Sequence, residues 1–530
     1  MSKPLFLLIF FIIVALTVSF RVTDLSLRPM HSDEAVNAMK LGQLLEHSDY
    51  KYNPDEFHGP ALYYLSLTFT WLSSEYRFSE LKESTLRVVP VFFSIILIII
   101  ILLLPVNLPR PILLITAVLT AVSPIINFYS RYYIHEILMV FFFYGLLFLV
   151  IRYLVDPKKY LLAAAGLSMG FLIAAKETWV IPVAASMIAA LIYMITTKKG
   201  FMNSVKWIMA IPMIHWIIFI TSAVIIYLIL FSSFFQNWHG ITDGLKTYYL
   251  YFTRSHSGLH EHPWYQYFDW LWFFGIRNGT YFTEIFIAIF AVIGGIAAFR
   301  IRTNSGITSE FYKFVVWLTL ICTLTFVIIP YKTPWNAMIF WIGFILLASF
   351  GMFHLFLSCK NIIHKTIFSI IIAIGIIHLA WQSYEENFKY DTSTLNPYIY
   401  AHPLDDVFKI EQKMEQLASV NSAGFNTQIH VSATGNDYWP LPWYLRKFRQ
   451  VGWWDRIDFN SGCAPVIIIS PDLEADLVEK LYEKRPPGQR NLYLPLFDGN
   501  IYLRPGKELK IFIDKSSWDL LQNTGSDQFE

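Results

Sequence analysis

The sequence predicts a polytopic α-helical membrane protein, with about eleven transmembrane helices and a C-terminal extracytoplasmic α/β domain. Hydrophobic residues make up 55% of the 530 residues and charged residues only 15%, which is too little charge to cover a soluble protein of this length. The apolar residues are gathered in runs of membrane-spanning length, and the region after residue 381 is polar and has no such run.

The apolar runs predict one helix each. They lie at residues 4–20, 87–104, 111–128, 137–155, 160–175, 178–196, 206–231, 283–299, 314–330, 336–357 and 365–381. No small-residue cleavage site follows the first run, which is therefore predicted to stay as a helix. Together, residues 1–381 form a membrane domain whose longest outer loops are residues 21–86 and 232–282.

Charge in the short loops predicts the orientation. The connections on one side carry lysines and arginines with few acids, as at Arg110, Lys158 and Lys159, and Lys3 precedes the first helix. By the positive-inside rule this face and the N-terminus are cytoplasmic. An odd number of helices then places the C-terminal domain outside, in a multi-pass protein of the cytoplasmic (inner) membrane.

The C-terminal region, residues 382–530, alternates helical and strand patterns. Such alternation predicts a small α/β domain. The helices are expected at residues 405–418 and 472–483, and the strands at 428–433 and 465–470. Four tryptophans in this domain offer flat faces for sugar rings, although packing on the domain core or on the membrane surface is the alternative. They are Trp439, Trp443, Trp453 and Trp454.

Asp33 and Glu34 are adjacent acids in the first outer loop. Ser32 followed by acids before Ala35 is a fair helix start, so an N-terminal cap or a solvated loop is one interpretation. Ionisable residues beside a membrane are costly and commonly functional, which favours a site.

Arg131, His135 and Glu136 stand at the entry of the predicted helix at residues 137–155. Charges are excluded from such a position unless they are paired. Arg131 and His135 are one helical turn apart, so an arginine, a histidine and a carboxylate are expected to share a small region. A purely structural pair of Arg131 with Glu136 is the competing interpretation.

Lys176, Glu177 and Lys332 interrupt apolar runs at the outer face, and His58 precedes a helix expected on the membrane surface at residues 61–71. A lysine can serve as a point charge for a phosphate, so two lysines on one face favour an anionic ligand. Ion pairing of the lysines and a simple turn at His58 remain the alternatives.

A divalent metal ion is compatible with the sequence but not required by it. His260 and His262 flank Glu261 on a segment that ends at a proline, and this spacing lacks the helical geometry of known zinc motifs. Aromatic packing over the membrane surface is the alternative for this loop. The candidate metal ligands are Asp33, Glu136, His58, His260 and His262.

These outer segments resemble the GT-C superfamily of membrane glycosyltransferases, of the protein mannosyltransferase and aminoarabinose transferase kind. Within it, they are most similar to the flippase-activity-associated proteins of archaeal N-glycosylation loci and their bacterial relatives. The matching segments are 33–35, 58–64, 129–132, 176–177, 262–265, 331–335 and 437–444. Glu136 departs from the pattern, because a shorter aspartate is expected there.

The resemblance implies transfer of a sugar from a polyprenyl-phosphate-linked donor to a glycan, lipid or protein acceptor on the outer face. The bilayer and the donor are the expected partners, and nothing points to nucleic acid. Asp33 is expected to act as base with Glu34 in support, and the donor phosphate is expected to contact the three cations Arg131, Lys332 and Lys176. The supporting residues are His58, His135, Glu136 and Glu177.

Two other functions stay open at this stage. A lipid-linked sugar flippase would also need polar groups among helices, although it would more naturally show repeats and charges facing both compartments. A noncatalytic membrane assembly subunit would use the outer domain for binding. A transferase is expected to gather Asp33, Arg131, Glu136 and Lys332 around one outer cavity.

Overall fold

The computed structural model divides the chain into two compact units. It describes residues 1–47, 50–56, 58–104, 108–196, 202, 206, 208–254, 260–272, 276–277, 280–300 and 306–526. Unit 1 comprises Met1–Leu25, His47–Phe69 and Ser84–Tyr400, and unit 2 comprises Ser26–Glu46, Thr70–Glu83 and Ala401–Glu530. Two segments of the predicted outer loop thus belong to the unit that holds the C-terminal region, which a single boundary at residue 382 did not anticipate.

Most of unit 1 is helical. Its α-helices, together with α2, which lies almost entirely in unit 2, are α1 (Lys3–Val22), α2 (Ser32–His47), α3 (Ala61–Leu72), α4 (Glu83–Leu102), α5 (Arg110–Val122), α6 (Pro124–Tyr129), α7 (Glu136–Val155), α8 (Lys159–Ala175), α9 (Val180–Thr196), α10 (Met213–Phe231), α11 (His239–Arg254), α12 (Gln266–Leu271), α13 (Ile285–Arg300), α14 (Gly306–Ile328), α15 (Met338–Ser358) and α16 (Ile362–Phe388). A two-stranded antiparallel ribbon, β1 (Ile276–Arg277) and β2 (Thr280–Tyr281), precedes α13.

The membrane-spanning prediction is confirmed. Within the described ranges, eight helical stretches are long and apolar enough to cross a membrane, and three shorter apolar helices accompany them. Each of the eleven predicted runs coincides with one of these helices. The protein is therefore a multi-pass membrane protein.

Prolines account for two differences between the predicted and observed helices. The run predicted at residues 111–128 is broken where Ser123 adopts an extended backbone, and Pro124 begins a new short helix. The run predicted from residue 206 gives a helix, α10, that starts only after Pro212. A proline lacks the N–H of a helix interior but fits a first turn, so both residues mark helix starts.

Close helix packing in unit 1 depends on glycine. A Cβ placed on Gly294 of α13 would lie 1.9 Å from the carbonyl oxygen of Leu347 on α15. Only glycine lets the two backbones approach this closely, as small residues commonly do between membrane helices.

Glu284, just before α13, has a fully buried side chain with several donors around it. Its carboxylate accepts hydrogen bonds from the hydroxyl of Ser123 (2.6 Å), the backbone N–H of Ile125 (2.8 Å), the indole of Trp341 (2.8 Å) and the hydroxyl of Tyr398 (2.9 Å). These bonds replace hydration of the buried carboxylate.

Unit 2 is an α/β unit, as predicted. Its remaining helices are α17 (Asp406–Val420), α18 (Leu441–Tyr444), α19 (Glu474–Val478) and α20 (Lys515–Ser526). Its strands are β3 (Ile429–Ser432), β4 (Val451–Trp454), β5 (Val466–Ile469), β6 (Tyr493–Pro495), β7 (Ile501–Arg504) and β8 (Lys507–Asp514). In the described chain they form a six-stranded sheet in the order β4-β3-β5-β8-β6, with β7 also paired to β8.

The centre of this sheet is parallel and its other half antiparallel. Strand β3 pairs in parallel with both β4 and β5, and β8 runs antiparallel to β5. All four residues of β5 are buried, as expected of a strand covered on both faces. In β8 only alternate residues, Leu509, Ile511 and Ile513, are buried.

Candidate functional site

The adjacent acids Asp33 and Glu34 lie in the first turn of α2, in unit 2. The carboxylate of Glu34 accepts a hydrogen bond from the backbone N–H of His31 at 2.9 Å. An acid three residues into a helix that reaches back to the preceding N–H is one half of a capping box. The side chain of Glu34 is fully buried, so its position is explained by the helix start.

Asp33 differs from its neighbour in exposure. Its side chain is 47% exposed, and its Oδ2 lies 3.9 Å from Nδ1 of His31. The backbone N–H of Asp33 donates to the same Nδ1 at 3.1 Å. His402 is buried, and its ring lies 5.8 Å from that of His31. Burial, with the charges of Arg28 and His31, holds the pKa of His402 well below its ordinary value. Asp33 therefore presents a carboxylate to solvent from a fixed helix start.

Unit 1 contains a mostly buried group of polar residues at or near helix ends, here called the Lys176 cluster. Its members are His58, His135, Glu136, Lys176, Glu177 and Asn336. Lys176 follows the C-terminus of α8 and forms a salt bridge with Glu136, the first residue of α7. A cation at a helix C-terminus and an anion at an N-terminus both suit the helix dipoles. Lys176 also donates to Oδ1 of Asn336 at 3.3 Å.

His58 is the part of the Lys176 cluster that reaches solvent. Its side chain is 33% exposed, and its Nδ1 donates to Oε2 of the buried Glu177 at 3.4 Å. Burial opposes its protonation, but the hydrogen bond to Glu177 and the charge of that carboxylate outweigh burial and raise the pKa of His58. The ring of His135 lies 4.8 Å away; burial, with the charges of His58 and Lys176, holds the pKa of His135 well below its ordinary value. The two neighbouring imidazoles of the cluster thus have pKa values shifted in opposite directions.

Backbone contact holds His58 against the end of α8. His58 and Lys176 form an isolated antiparallel bridge, and the next residue, Gly59, accepts a hydrogen bond from Nε2 of His135 at 3.2 Å. A Cβ on Gly59 would lie 2.1 Å from the carbonyl oxygen of Ala174. The sequence His58-Gly59 therefore needs its glycine for this close approach.

Arg131 contacts backbone carbonyls rather than the side chain of Glu136. The segment between α6 and α7 is a series of turns and bends rather than helix, so a four-residue spacing does not align its side chains. The guanidinium of Arg131 donates to the backbone carbonyls of Phe20 (3.0 Å), Arg21 (3.3 Å) and Asp24 (3.2 Å). The salt bridge of Glu136 is made with Lys176, so the competing interpretation of a structural pair between Arg131 and Glu136 is wrong.

Lys332 is held by neutral groups. Its ammonium donates to the carbonyls of Ile329 (2.5 Å) and His262 (3.3 Å), and the residue is 1% exposed. Burial lowers its pKa. Carbonyl oxygens carry no formal charge, so these two contacts leave the positive charge of the ammonium unneutralised.

His260 and His262 meet at one tyrosine. Nδ1 of His260 lies 2.5 Å, and Nε2 of His262 3.2 Å, from the hydroxyl of Tyr400. Partial burial, with the charges of His260 and Lys332, lowers the pKa of His262. The part of the chain that the structure describes contains no group of three His, Cys, Asp or Glu placed to hold a metal ion. The five candidate ligands therefore do not form such a group there.

Two residues of this region were missed by sequence reasoning. Asn336 sits inside an apolar run and contacts Lys176, and Tyr400 lies beyond the last predicted membrane helix. The signal for Asn336 was present, since an uncharged polar residue at the start of an apolar run needs a partner. Tyr400 carried no such signal among the 30 tyrosines of the chain.

No protein-family model and no curated protein matches the sequence. Solved structures do. ArnT from Cupriavidus metallidurans, crystallised with undecaprenyl phosphate, gives a TM-score of 0.60 at 10% identity over 94% of this chain and 97% of that one. The archaeal oligosaccharyltransferase AglB from Archaeoglobus fulgidus, determined with an inhibitory peptide and a dolichol-phosphate, gives 0.53 at 11% identity over 90% of this chain and 71% of that one. The chain therefore shares the fold of these two solved structures, as its resemblance to the GT-C superfamily led us to expect.

Proposed function

We propose that the protein is a glycosyltransferase that moves a sugar from a polyprenyl-phosphate-linked donor to an acceptor hydroxyl. The observation that carries the proposal is the Lys176 cluster, in a chain of GT-C fold. It gathers two carboxylates, one lysine and two histidines, all buried except the partly exposed His58. Burying so many ionisable groups is costly, and such groups mark functional sites more often than scaffolds.

The donor class is supported by the two solved structures with the same fold. Both were determined with a polyprenyl phosphate, undecaprenyl in one and dolichol in the other. Fold likeness alone does not fix a substrate. A multi-pass membrane protein is nevertheless suited to a lipid whose tail stays in the bilayer while its phosphate lies at the surface.

The reaction needs a base and a cation. The acceptor oxygen forms a bond to the anomeric carbon of the sugar as the bond between that carbon and the phosphate oxygen breaks. The proton of the acceptor hydroxyl passes to the carboxylate of Asp33, the half-exposed acid of the pair. The lipid phosphate departs with the bonding electrons and an added negative charge, which cationic side chains stabilise.

Of the three candidate cations, Lys332 suits the phosphate best, and His58, expected only as a supporting residue, is added to it. Lys332 is held by carbonyl oxygens and keeps its charge uncancelled. His58 has a raised pKa and a side chain that reaches solvent. The charge of Lys176 is already balanced by Glu136, so Lys176 is assigned to holding the cluster together. Arg131 is assigned to fixing the segment around Asp24 through its carbonyl contacts.

The proposal is tested by turnover of defined donors. The purified protein is incubated with a panel of polyprenyl phosphates carrying radiolabelled hexoses, pentoses and N-acetylhexosamines, and release of free lipid phosphate is measured. We expect at least one donor to be consumed, and consumption to fall in the Lys332→Met variant through weaker phosphate binding.

A second measurement separates a transferase from a transporter. The same donors are placed in one leaflet of proteoliposomes, and their movement to the other leaflet is followed. A donor that crosses the bilayer intact while none of the panel is consumed would overturn the proposal. Consumption without leaflet exchange supports it.

A further inference from the structure

Three half-buried aromatic side chains of unit 2 form a continuous surface, here called the aromatic row: Trp439, Tyr438 and Trp453. The rings of Tyr438 and Trp453 have centroids 4.9 Å apart and planes inclined by 39°, and those of Tyr438 and Trp439 are 6.3 Å apart and inclined by 33°. By contrast, Trp443 is fully buried in the same unit. Of the predicted aromatic residues, Trp443 therefore serves the core, and the row is left partly accessible.

The aromatic row begins beside the acid assigned as base. Oγ of Ser32 lies 3.5 Å from the carbonyl oxygen of Trp439, and Asp33 is the next residue. The backbone N–H of Met30 donates to the hydroxyl of Tyr444 at 2.8 Å. The start of α2 is thus held against the segment that carries the row.

At its other end the row opens into a groove of about 290 Å³, close to the lower bound of about 300 Å³ for ligand pockets. Trp453 lines the groove together with Gln43 and Glu46 of α2, Arg446 and Arg449. The walls therefore offer an amide, a carboxylate and guanidinium groups beside aromatic faces. Glu46 and Arg446 are fixed in place, because Glu46 accepts from the backbone N–H of Phe78 at 2.9 Å and Arg446 donates to the carbonyl of Leu81 at 3.2 Å.

The distance spanned by these features is longer than one sugar ring. Asp33 and Glu46 are 13 residues apart on α2, which at the rise of an α-helix is about 20 Å. An occupant that touches both ends is therefore a chain of several units.

The chemistry of the surface favours a saccharide. The C–H faces of sugar rings pack on aromatic planes, and their hydroxyls need both donors and acceptors, which the groove provides. A lipid tail would require an apolar groove, whereas this one holds Glu46 and two arginines.

We propose that the aromatic row and its groove bind an oligosaccharide chain, which is the acceptor of the transfer reaction. This inference rests on the proposed function, since it places the acceptor hydroxyl at Asp33. Most of the oligosaccharide lies along Trp439, Tyr438 and Trp453, and its far end lies in the groove.

Binding is measured on the full-length protein in detergent, without donor. Hexasaccharides of glucose, mannose and N-acetylglucosamine are titrated by calorimetry, with a hexapeptide pool as the comparison ligand. We expect one saccharide class to bind, and Trp453→Ala to weaken it about tenfold, the size of one aromatic contact. Gln43→Ala is the second variant, used if Trp453→Ala fails to fold, because it replaces an exposed helical residue by a good helix former. It should weaken binding about threefold.

Controls separate this site from the reaction. Trp238→Ala removes an exposed tryptophan of unit 1 and should leave binding unchanged. Asp33→Asn is measured for donor consumption alone, which it should lose. If donor is consumed but no hexasaccharide binds, the inference fails and the proposed function stands. The same holds if Trp453→Ala and Gln43→Ala bind the saccharide as the parent does, or if the peptides bind instead of the saccharides. Saccharide binding that depends on Trp453, with no donor consumed, supports the site and overturns the transferase.

Discussion

Glu34 accepts a hydrogen bond from the backbone N–H of His31, and this contact separates two acids that are adjacent in sequence. Glu34 is buried and closes the first turn of its helix, whereas the side chain of Asp33 is 47% exposed. The two acids are therefore expected to respond differently to substitution.

Asp33→Asn should abolish transfer with little change in stability. Removing a general base typically lowers the rate by about 10²–10⁴-fold, and an exposed amide fits where the carboxylate was. Donor turnover and thermal unfolding are measured together.

Glu34→Ala should show the opposite pattern. Loss of the acceptor leaves the buried N–H of His31 without this partner, at about 1–3 kcal/mol of unfolding free energy, while transfer per folded molecule is retained. Equal loss of turnover in both variants at a temperature where both are folded would reject the separation of roles.

Lys176→Met should destabilise unit 1 strongly. It leaves the carboxylate of Glu136 buried without its cation, which typically costs about 3–5 kcal/mol. The double variant Lys176→Met, Glu136→Gln removes both charges and should recover most of the loss, as seen by thermal unfolding in detergent. A single variant as stable as the parent would show that the salt bridge does not hold the Lys176 cluster together.

The pH dependence of donor turnover should report His58. Glu177 raises its pKa, so the charged imidazole is present at low pH and is lost as pH rises through that raised value. Stability linked to this proton is likewise complete below the unfolded value of about 6.5 and declines above it. Glu177→Gln should lower the pKa and move the alkaline limb of turnover to lower pH.

Two comparisons make the pH experiment specific. His58→Gln should remove the alkaline limb. Asp156→Asn alters a salt bridge with Arg152, far from His58 in the sequence, and should leave the limb in place. An alkaline limb that stays fixed in Glu177→Gln would contradict a role for the His58 proton.

Gly59→Ala should destabilise the contact between His58 and α8. The added Cβ would meet the carbonyl oxygen of Ala174, a backbone atom that cannot rotate away, and overpacking of this kind typically costs about 1–3 kcal/mol. The matched control is Gly462→Ala, because a Cβ there meets nothing within 4 Å. Melting temperatures that fall equally in both variants would attribute the loss to glycine flexibility instead.

The membrane helices were predictable because each depends on a local property, the length of an apolar run. Two strands of unit 2, β3 and β5, were predictable for a similar reason, since Val466–Ile469 is a short apolar run with turn residues on both sides. Strands β4, β6, β7 and β8 were not predicted from the sequence. Helix ends were less so, and Pro124 and Pro212 moved two of them.

Contacts between residues far apart in the sequence could not be predicted. The start of α2 is held by Tyr444, 414 residues later in the chain, and no local pattern indicates that partner. The pairing of Glu136 with Lys176 rather than Arg131 depended on the bends between α6 and α7. A four-residue spacing implies a shared face only where the backbone is helical.

Glu284 carries a warning for genetic screens. With no exposed surface, it cannot touch a substrate, yet its four hydrogen bonds tie together segments around Ser123, Trp341 and Tyr398. Replacing Glu284 would abolish activity as completely as replacing Asp33. An inactive mutant at an acidic position therefore gives a false positive for catalysis unless the amount of correctly assembled protein is counted first.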